Sequence, residues 1–146
     1  MQSMILSTCD RVEIHAIHDD KTKAAGVITE VLSRHSGISI MHLLPALYTK
    51  YGAEAARHLM SIAASLDSLV IGEPQVLGQI KASHRASQAA GMVGSEMENI
   101  LQSAFNVAKR VRTETKIGER PVSIAAAAVS VARDVHGSLK SCTGLL

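Results

Sequence analysis

Aromatic side chains are almost missing from this sequence: there is no tryptophan, one phenylalanine and two tyrosines. A core without large rings is built from aliphatic side chains and alanine, which favours closely packed helices over a large sheet. Material for such a core is present, since 47% of the 146 residues are hydrophobic, and the length suits one domain. Cysteine is also scarce. Cys9 and Cys142 stand near opposite ends, without metal-ligand spacing, and read as reduced thiols of a cytosolic protein, not a disulfide framework. No apolar run reaches the roughly 20 residues of a membrane span. A signal-peptide pattern, an internal repeat and a low-complexity tail are all absent from the sequence. The net charge of +2 is too small to establish nucleic-acid binding, and it does not exclude a local basic patch.

The chain is organised around Leu6-Ser7-Thr8-Cys9-Asp10-Arg11. The apolar Met4-Ile5-Leu6 leads in, and the alternating Val12-Glu13-Ile14-His15-Ala16-Ile17 leads out. Period-two alternation reads as a half-buried strand, so a polar loop is pinned between two strands, a common setting for catalytic side chains. Cys9 is its strong nucleophile, and a nearby cation favours a thiolate. Arg11 would share a face with Cys9 on a continuing strand, and an arginine can grip a carboxylate with two parallel hydrogen bonds. Thr8 and the backbone N–H groups of the turn can hold an oxyanion. The plainer alternative is a small buried cysteine beside a surface charge.

Further along, Lys21 to Ser36 has helical spacing at Ala24, Val27, Ile28, Val31 and Leu32, with Gly37 as its stop. Residues 38–44 are ambiguous, and Leu47 to Tyr51 reads as a short strand before Gly52. A helix from Glu54 to about Leu66 carries Ala56, Leu59, Met60 and Ala63 on its core stripe, with His58 beside it. Val70 and Ile71 look buried. Gly72 permits a sharp turn, and Pro74 suits the first turn of a helix running to about Ala90. Ile80, His84 and Ala90 are its inner candidates. Gln75 and Gln79 share a face. With Ser68 they offer neutral donors and acceptors, and Glu73 can pair an ammonium; the same residues equally suit a capped helix with polar surface. Ser95-Glu96-Met97-Glu98 is a capping-box pattern, opening a helix with Met97, Ile100, Leu101, Ala104, Val107, Ala108 and Val111 on one side. Its C-terminal Lys109, Arg110 and Arg112 either compensate the helix dipole or contact phosphates. Residues 118–121 break it, and Ser123 caps a last helix from Ile124 to about His136, closed by Gly137.

Two blocks carry a resemblance. Residues 7–14, Ser-Thr-Cys-Asp-Arg-Val-Glu-Ile, taken with the long, specific block 66–81, closely resemble glutamyl-tRNA reductase. Residues 110–115 and 122–124 are similar to that family's later blocks, in family order. The resemblance implies an α+β fold: a small ferredoxin-like sheet, its first strand and helix missing, packed with several helices, and a helix-rich C-terminal half. It implies a catalytic, glutamyl-recognising domain over 1–120, a helix and linker over 121–142, and the start of an NADPH-binding domain over 143–146, with the chain cut at both ends.

The activity implied is reduction of glutamyl-tRNA to glutamate-1-semialdehyde through a cysteine thioester. This is the first step of tetrapyrrole and porphyrin synthesis by way of 5-aminolevulinate. Cys9 is then the nucleophile and His58 the acid/base, while Thr8, Cys9, Asp10, Arg11, Ser68, Glu73, Pro74, Gln75 and Gln79 contact the glutamyl group. The cofactor implied is NADPH, bound in a domain outside this chain, with no cofactor-binding residue and no metal here. The partners implied are glutamyl-tRNA, a second copy of the full-length enzyme joined through a C-terminal domain, and glutamate-1-semialdehyde aminomutase, in the cytoplasm and without a membrane. The alternative is a non-catalytic tRNA-binding or scaffold domain of the same fold. Two positions depart from the family pattern. Asp10 replaces the usual asparagine and adds a charge beside the thiol, and Ser65 replaces a glycine, which can alter the turn and tilt Ser68.

Overall fold

A computed structural model describes residues 1–68, 71–73, 75–118, 124–140 and 142–143. Two strands, β1 (Gln2–Ser7) and β2 (Val12–Ile17), form an antiparallel hairpin. Helices follow: α1 (Lys21–Ser36), α2 (Ile40–Leu43) running into a 3-10 turn (Leu44–Ala46), α3 (Gly52–Ala63), α4 (Gln75–Ala89) and α5 (Ser95–Glu114). After a second 3-10 turn (Lys116–Gly118) comes α6 (Ile124–His136). The fold is therefore α+β and helix-rich, with a two-stranded sheet among the described residues. Among those residues no helix is long and apolar enough to cross a membrane.

Local chemistry accounts for the helix ends. Asp20 caps α1 by accepting from the amides of Thr22 and Lys23, and Gly37 closes it at φ 71°, a left-handed value that glycine adopts without penalty. The expected capping box of α5 is replaced by a tertiary cap. Gly94 is the cap residue, and the Gln2 side chain reaches from β1 to accept from the amides of Gly94 and Met97. Glu98 is drawn away from the box by His84, 2.8 Å distant. The break expected at 118–121 comes earlier, at Thr115, and Ser123 lies outside the described residues.

The core is aliphatic, as the composition requires. Met4 and Leu6 of β1 meet Leu59, Ile62 and Ala63 of α3, Val76 and Ile80 of α4, and Met97, Leu101, Ala104 and Ala108 of α5. Alanines on α5 let α3 approach it closely, the arrangement a core without rings favours. Stripe assignments shift: Ile62 is buried where Ala56 and Met60 are only half-buried, and Ala90 is exposed beyond the end of α4. Ile71, expected inside, is exposed, and Val70 lies outside the described residues. The expected strand at 47–51 does not form. The chain is extended at Leu47 and Tyr51 but pairs with no strand among the described residues. Between it and β2 lies a cleft of about 490 Å³, roofed by α1, which has no fully buried residue.

Candidate active site

The loop of the hairpin is the shortest possible. Ser7 faces Val12 in register, and the Thr8 amide donates to the Arg11 carbonyl at 2.9 Å, so Cys9 and Asp10 alone form the tip. Neither has a positive φ, so the turn is not one of the mirror-image types that suit hairpins best. Side chains hold it instead: the Thr8 hydroxyl donates to Asp10 Oδ1 at 2.6 Å. Cys9 is exposed at the tip. Because the chain reverses there, Cys9 and Arg11 do not share a strand face, contrary to the continuing-strand expectation. The Thr8 hydroxyl and amide are both engaged within the turn, which leaves them unavailable as oxyanion donors in this conformation.

Asp10 does not face the thiol as an unpaired charge. The hydrogen bond from Thr8 is the main cause holding its carboxyl below the usual carboxylate range, with burial opposing and Arg11 assisting; Arg11 Nη2 lies 3.5 Å from Asp10 Oδ2. The other arm of the guanidinium, Nη1, is 3.0 Å from Asp67 Oδ2 and 3.6 Å from Glu13 Oε1. Arg11 is thus shared among Asp10, Asp67 and Glu13.

Sequence reasoning missed Glu13, which organises the site. Register puts Glu13 opposite Leu6 and His15 opposite Met4, so the inward face of β2 is polar while Val12 points out, 59% exposed. The buried carboxylate of Glu13 accepts from the Tyr48 hydroxyl, lies 3.0 Å from His58 Nε2 and 3.1 Å from His15 Nε2. Burial by itself would raise the Glu13 pKa, but contacts from His15, Tyr48 and His58 outweigh it and lower the carboxyl to about 2. Burial and the same carboxylate push the Tyr48 phenol up to about 12. His58 is held from both sides, since its Nδ1 lies 3.4 Å from Asp67 Oδ2. A contact chain thus runs Arg11–Asp67–His58–Glu13. The signal for Glu13 was available: a glutamate at an inward register position of a half-buried strand needs a partner.

The loop between α3 and α4 forms the other wall. Ser65 adopts φ 57°, the one positive φ of a non-glycine among the described residues. It is fully buried, and its hydroxyl donates to the Glu73 carbonyl at 2.6 Å. Gly72 sits at φ 88°, with the Ile117 carbonyl 2.9 Å from where a Cβ would be, so only glycine fits. Glu73 is buried, Ser68 and Gln79 are half-buried, Gln75 is exposed, and Pro74 lies outside the described residues. Among the described residues no hydrogen bond joins Gln75 or Gln79 to the Arg11–His58 chain. Arg112 reaches the Gly72 carbonyl at 3.5 Å and Arg110 is paired to Glu114. Lys109 is exposed.

Comparison with known proteins fits this arrangement. Residues 1–115 match the family described as glutamyl-tRNAGlu reductase, N-terminal domain. Glutamyl-tRNA reductase of Marinomonas sp. is 43% identical over 99% of this chain and 34% of that protein. The Teredinibacter turnerae enzyme is 46% identical over 97% of the chain and 34% of its own length. The solved structure of glutamyl-tRNA reductase from Methanopyrus kandleri superposes with a TM-score of 0.69 at 31% identity, covering 94% of this chain and 31% of that one. The chain spans about a third of the relatives it matches. It belongs to the glutamyl-tRNA reductase family, whose N-terminal domain accounts for residues 1–115.

Proposed function

We propose that Cys9 takes the glutamyl group from glutamyl-tRNA as a thioester. The Cys9 thiolate attacks the ester carbonyl carbon, a C–S bond forms, and the C–O bond to the terminal ribose breaks. The departing ribose oxygen takes a proton from His58, whose imidazole Glu13 and Asp67 hold in place. Arg11 pairs the substrate side-chain carboxylate by displacing Asp67, and Ser68, Glu73, Pro74, Gln75 and Gln79 line the amino-acid site. The observation that carries this reading is the exposed cysteine at a two-residue tip, flanked by an arginine that is joined through Asp67 to a histidine anchored by two carboxylates.

NADPH, when bound, supplies the hydride that converts a thioester into the aldehyde glutamate-1-semialdehyde. The described residues contain no strand, glycine-rich turn and helix of the kind a dinucleotide needs, and no step of the reduction is assigned to them. The same reading assigns residues 1–120 to the catalytic domain, 121–142 to a linker helix and 143–146 to the edge of an NADPH domain. It carries a role at the first step of tetrapyrrole synthesis in the cytoplasm, a homodimer formed through a further domain, and delivery of the aldehyde to an aminomutase. For the sheet it implies a ferredoxin-like order, which draws support from β2 pairing only with β1 among the described residues and from the extended Leu47 and Tyr51 across the cleft.

A single-turnover assay with glutamyl-tRNA tests the acyl transfer. Loss of the ester should be abolished by Cys9→Ser and slowed about a hundredfold or more by His58→Gln, the lower end of the typical range for lost acid–base assistance. Unchanged turnover in the serine variant would leave a binding role only.

A further inference from the structure

Helix α3 has two faces. Leu59, Ile62 and Ala63 enter the core, while Glu54, Arg57, His58 and Ser61, spaced i, i+3, i+4 and i+7, form a polar stripe on another side. That stripe is one wall of an open hollow of about 300 Å³, completed by Lys50, Leu66 and Asp67. The Leu66 amide donates to the Ser61 carbonyl at 2.9 Å, which folds the chain back beside α3 and leaves Leu66 48% exposed. The ionic groups of the hollow are unequally engaged. Asp67 is held by Arg11 and His58, and Glu54 by Lys50 at 2.8 Å in an exposed pair. Arg57 is exposed and has no hydrogen bond or ion pair among the described residues, and the Ser61 hydroxyl has none either.

We infer that this hollow seats the terminal nucleotide of the tRNA, the adenosine whose ribose carries the amino acid. The inference rests on the acyl transfer proposed above: there the ribose oxygen takes its proton from His58, and His58 lines this hollow. A ribose leaving beside His58 brings a phosphate and a purine with it, and each part has a counterpart here. Arg57, next to His58 in sequence, offers a forked guanidinium free to grip phosphate oxygens. Lys50 adds a second cation when the phosphate replaces Glu54 in its exposed, weakly held pair. The Ser61 hydroxyl can donate to and accept from a ribose hydroxyl, and exposed Leu66 gives the purine an apolar surface to cover. A free phosphate or a carboxylate would use the cations and leave Leu66 bare; a nucleotide uses both. The glutamyl carboxylate is left to Arg11, which does not line the hollow. Arg57 and Lys50 thus hold the leaving group and take no part in the bonds that form and break at Cys9.

The test is an NMR titration of the full chain with adenosine 5′-monophosphate that carries glutamate on its ribose through an amide, which resists attack by Cys9, and with the same compound lacking the phosphate. The phosphate should tighten binding about tenfold or more, the scale of a charge-assisted hydrogen bond, with signals moving at the amides of Arg57, Ser61 and Leu66. Arg57→Gln, whose fold is checked by circular dichroism, should remove most of that gain, so that the two compounds bind nearly alike. Such binding together with no Cys9 adduct from glutamyl-tRNA would keep the nucleotide site and remove the thioester. Equal affinity of the two compounds for the unaltered chain, a loss of equal size for both in Arg57→Gln, or no binding of either at millimolar concentration would overturn the inference.

Discussion

Glu13 shows what a single buried carboxylate does here. It gathers Tyr48, His58 and His15 around one point, and its pKa falls from an ordinary 4.5 to about 2. A carboxyl with a depressed folded-state pKa binds protons more readily when unfolded. Its contribution is therefore full above about pH 4.5 and is lost as pH falls towards about 2. Denaturant titrations at several pH values should show wild-type stability declining across that window, and Glu13→Gln should flatten the decline while lowering stability at pH 7 by about 1–3 kcal/mol. An unchanged acid slope in the variant would assign the acid sensitivity to other groups. Ser65 tests a different balance. A left-handed serine costs about 1–2 kcal/mol that glycine avoids, but its hydroxyl bond to Glu73 returns about 1 kcal/mol. Ser65→Gly should thus stay within about 1 kcal/mol of wild type, while Ser65→Ala, keeping the strain without the bond, should be less stable than either in thermal melts.

At the level of elements, the helices differ sharply in what they bury. Helix α5 places Met97, Leu101, Ala104 and Ala108 in the core, whereas Val27 and Val31 of α1 are 39% and 46% exposed. Leu101→Ala should cost about 2–5 kcal/mol, and Val31→Ala about 0.5 kcal/mol or less; equal losses would mean that α1 belongs to the same core. Helical spacing made α1 legible to the residue, because Asp20 and Gly37 decide its two ends locally, and Gly137, at φ 72°, stops α6 where expected. The start of α5 at Ser95 was legible but its cap was not, since that comes from Gln2, more than 90 residues away. Nor was the state of residues 47–51: their alternation suits a strand, but a strand needs a neighbour to pair with, and β2 lies across a cleft from them. The cysteine loop was readable as a loop, but not as a reversal of only two residues that separates Cys9 from the face of Arg11. The grouping of His58 with Glu13 and Asp67 joins residues 45 apart in one contact, a closeness created where α3 and β2 both pack against α5.

For the whole molecule, the hairpin and the α3–α4 loop work as two jaws. The core of α3, α4 and α5 fixes their separation, and Arg11, Asp67, His58 and Glu13 join them by direct contact. The tip between the jaws is where the exposed thiol stands, and family membership gives that thiol its proposed partner. The most direct measurement is peptide-level mass spectrometry of the chain after brief mixing with glutamyl-tRNA and acid quench. The account predicts one glutamyl group on the peptide containing Cys9 and none on the peptide containing Cys142. Glutamyl-tRNA consumed with no adduct on Cys9, or an adduct at any other residue, would contradict it.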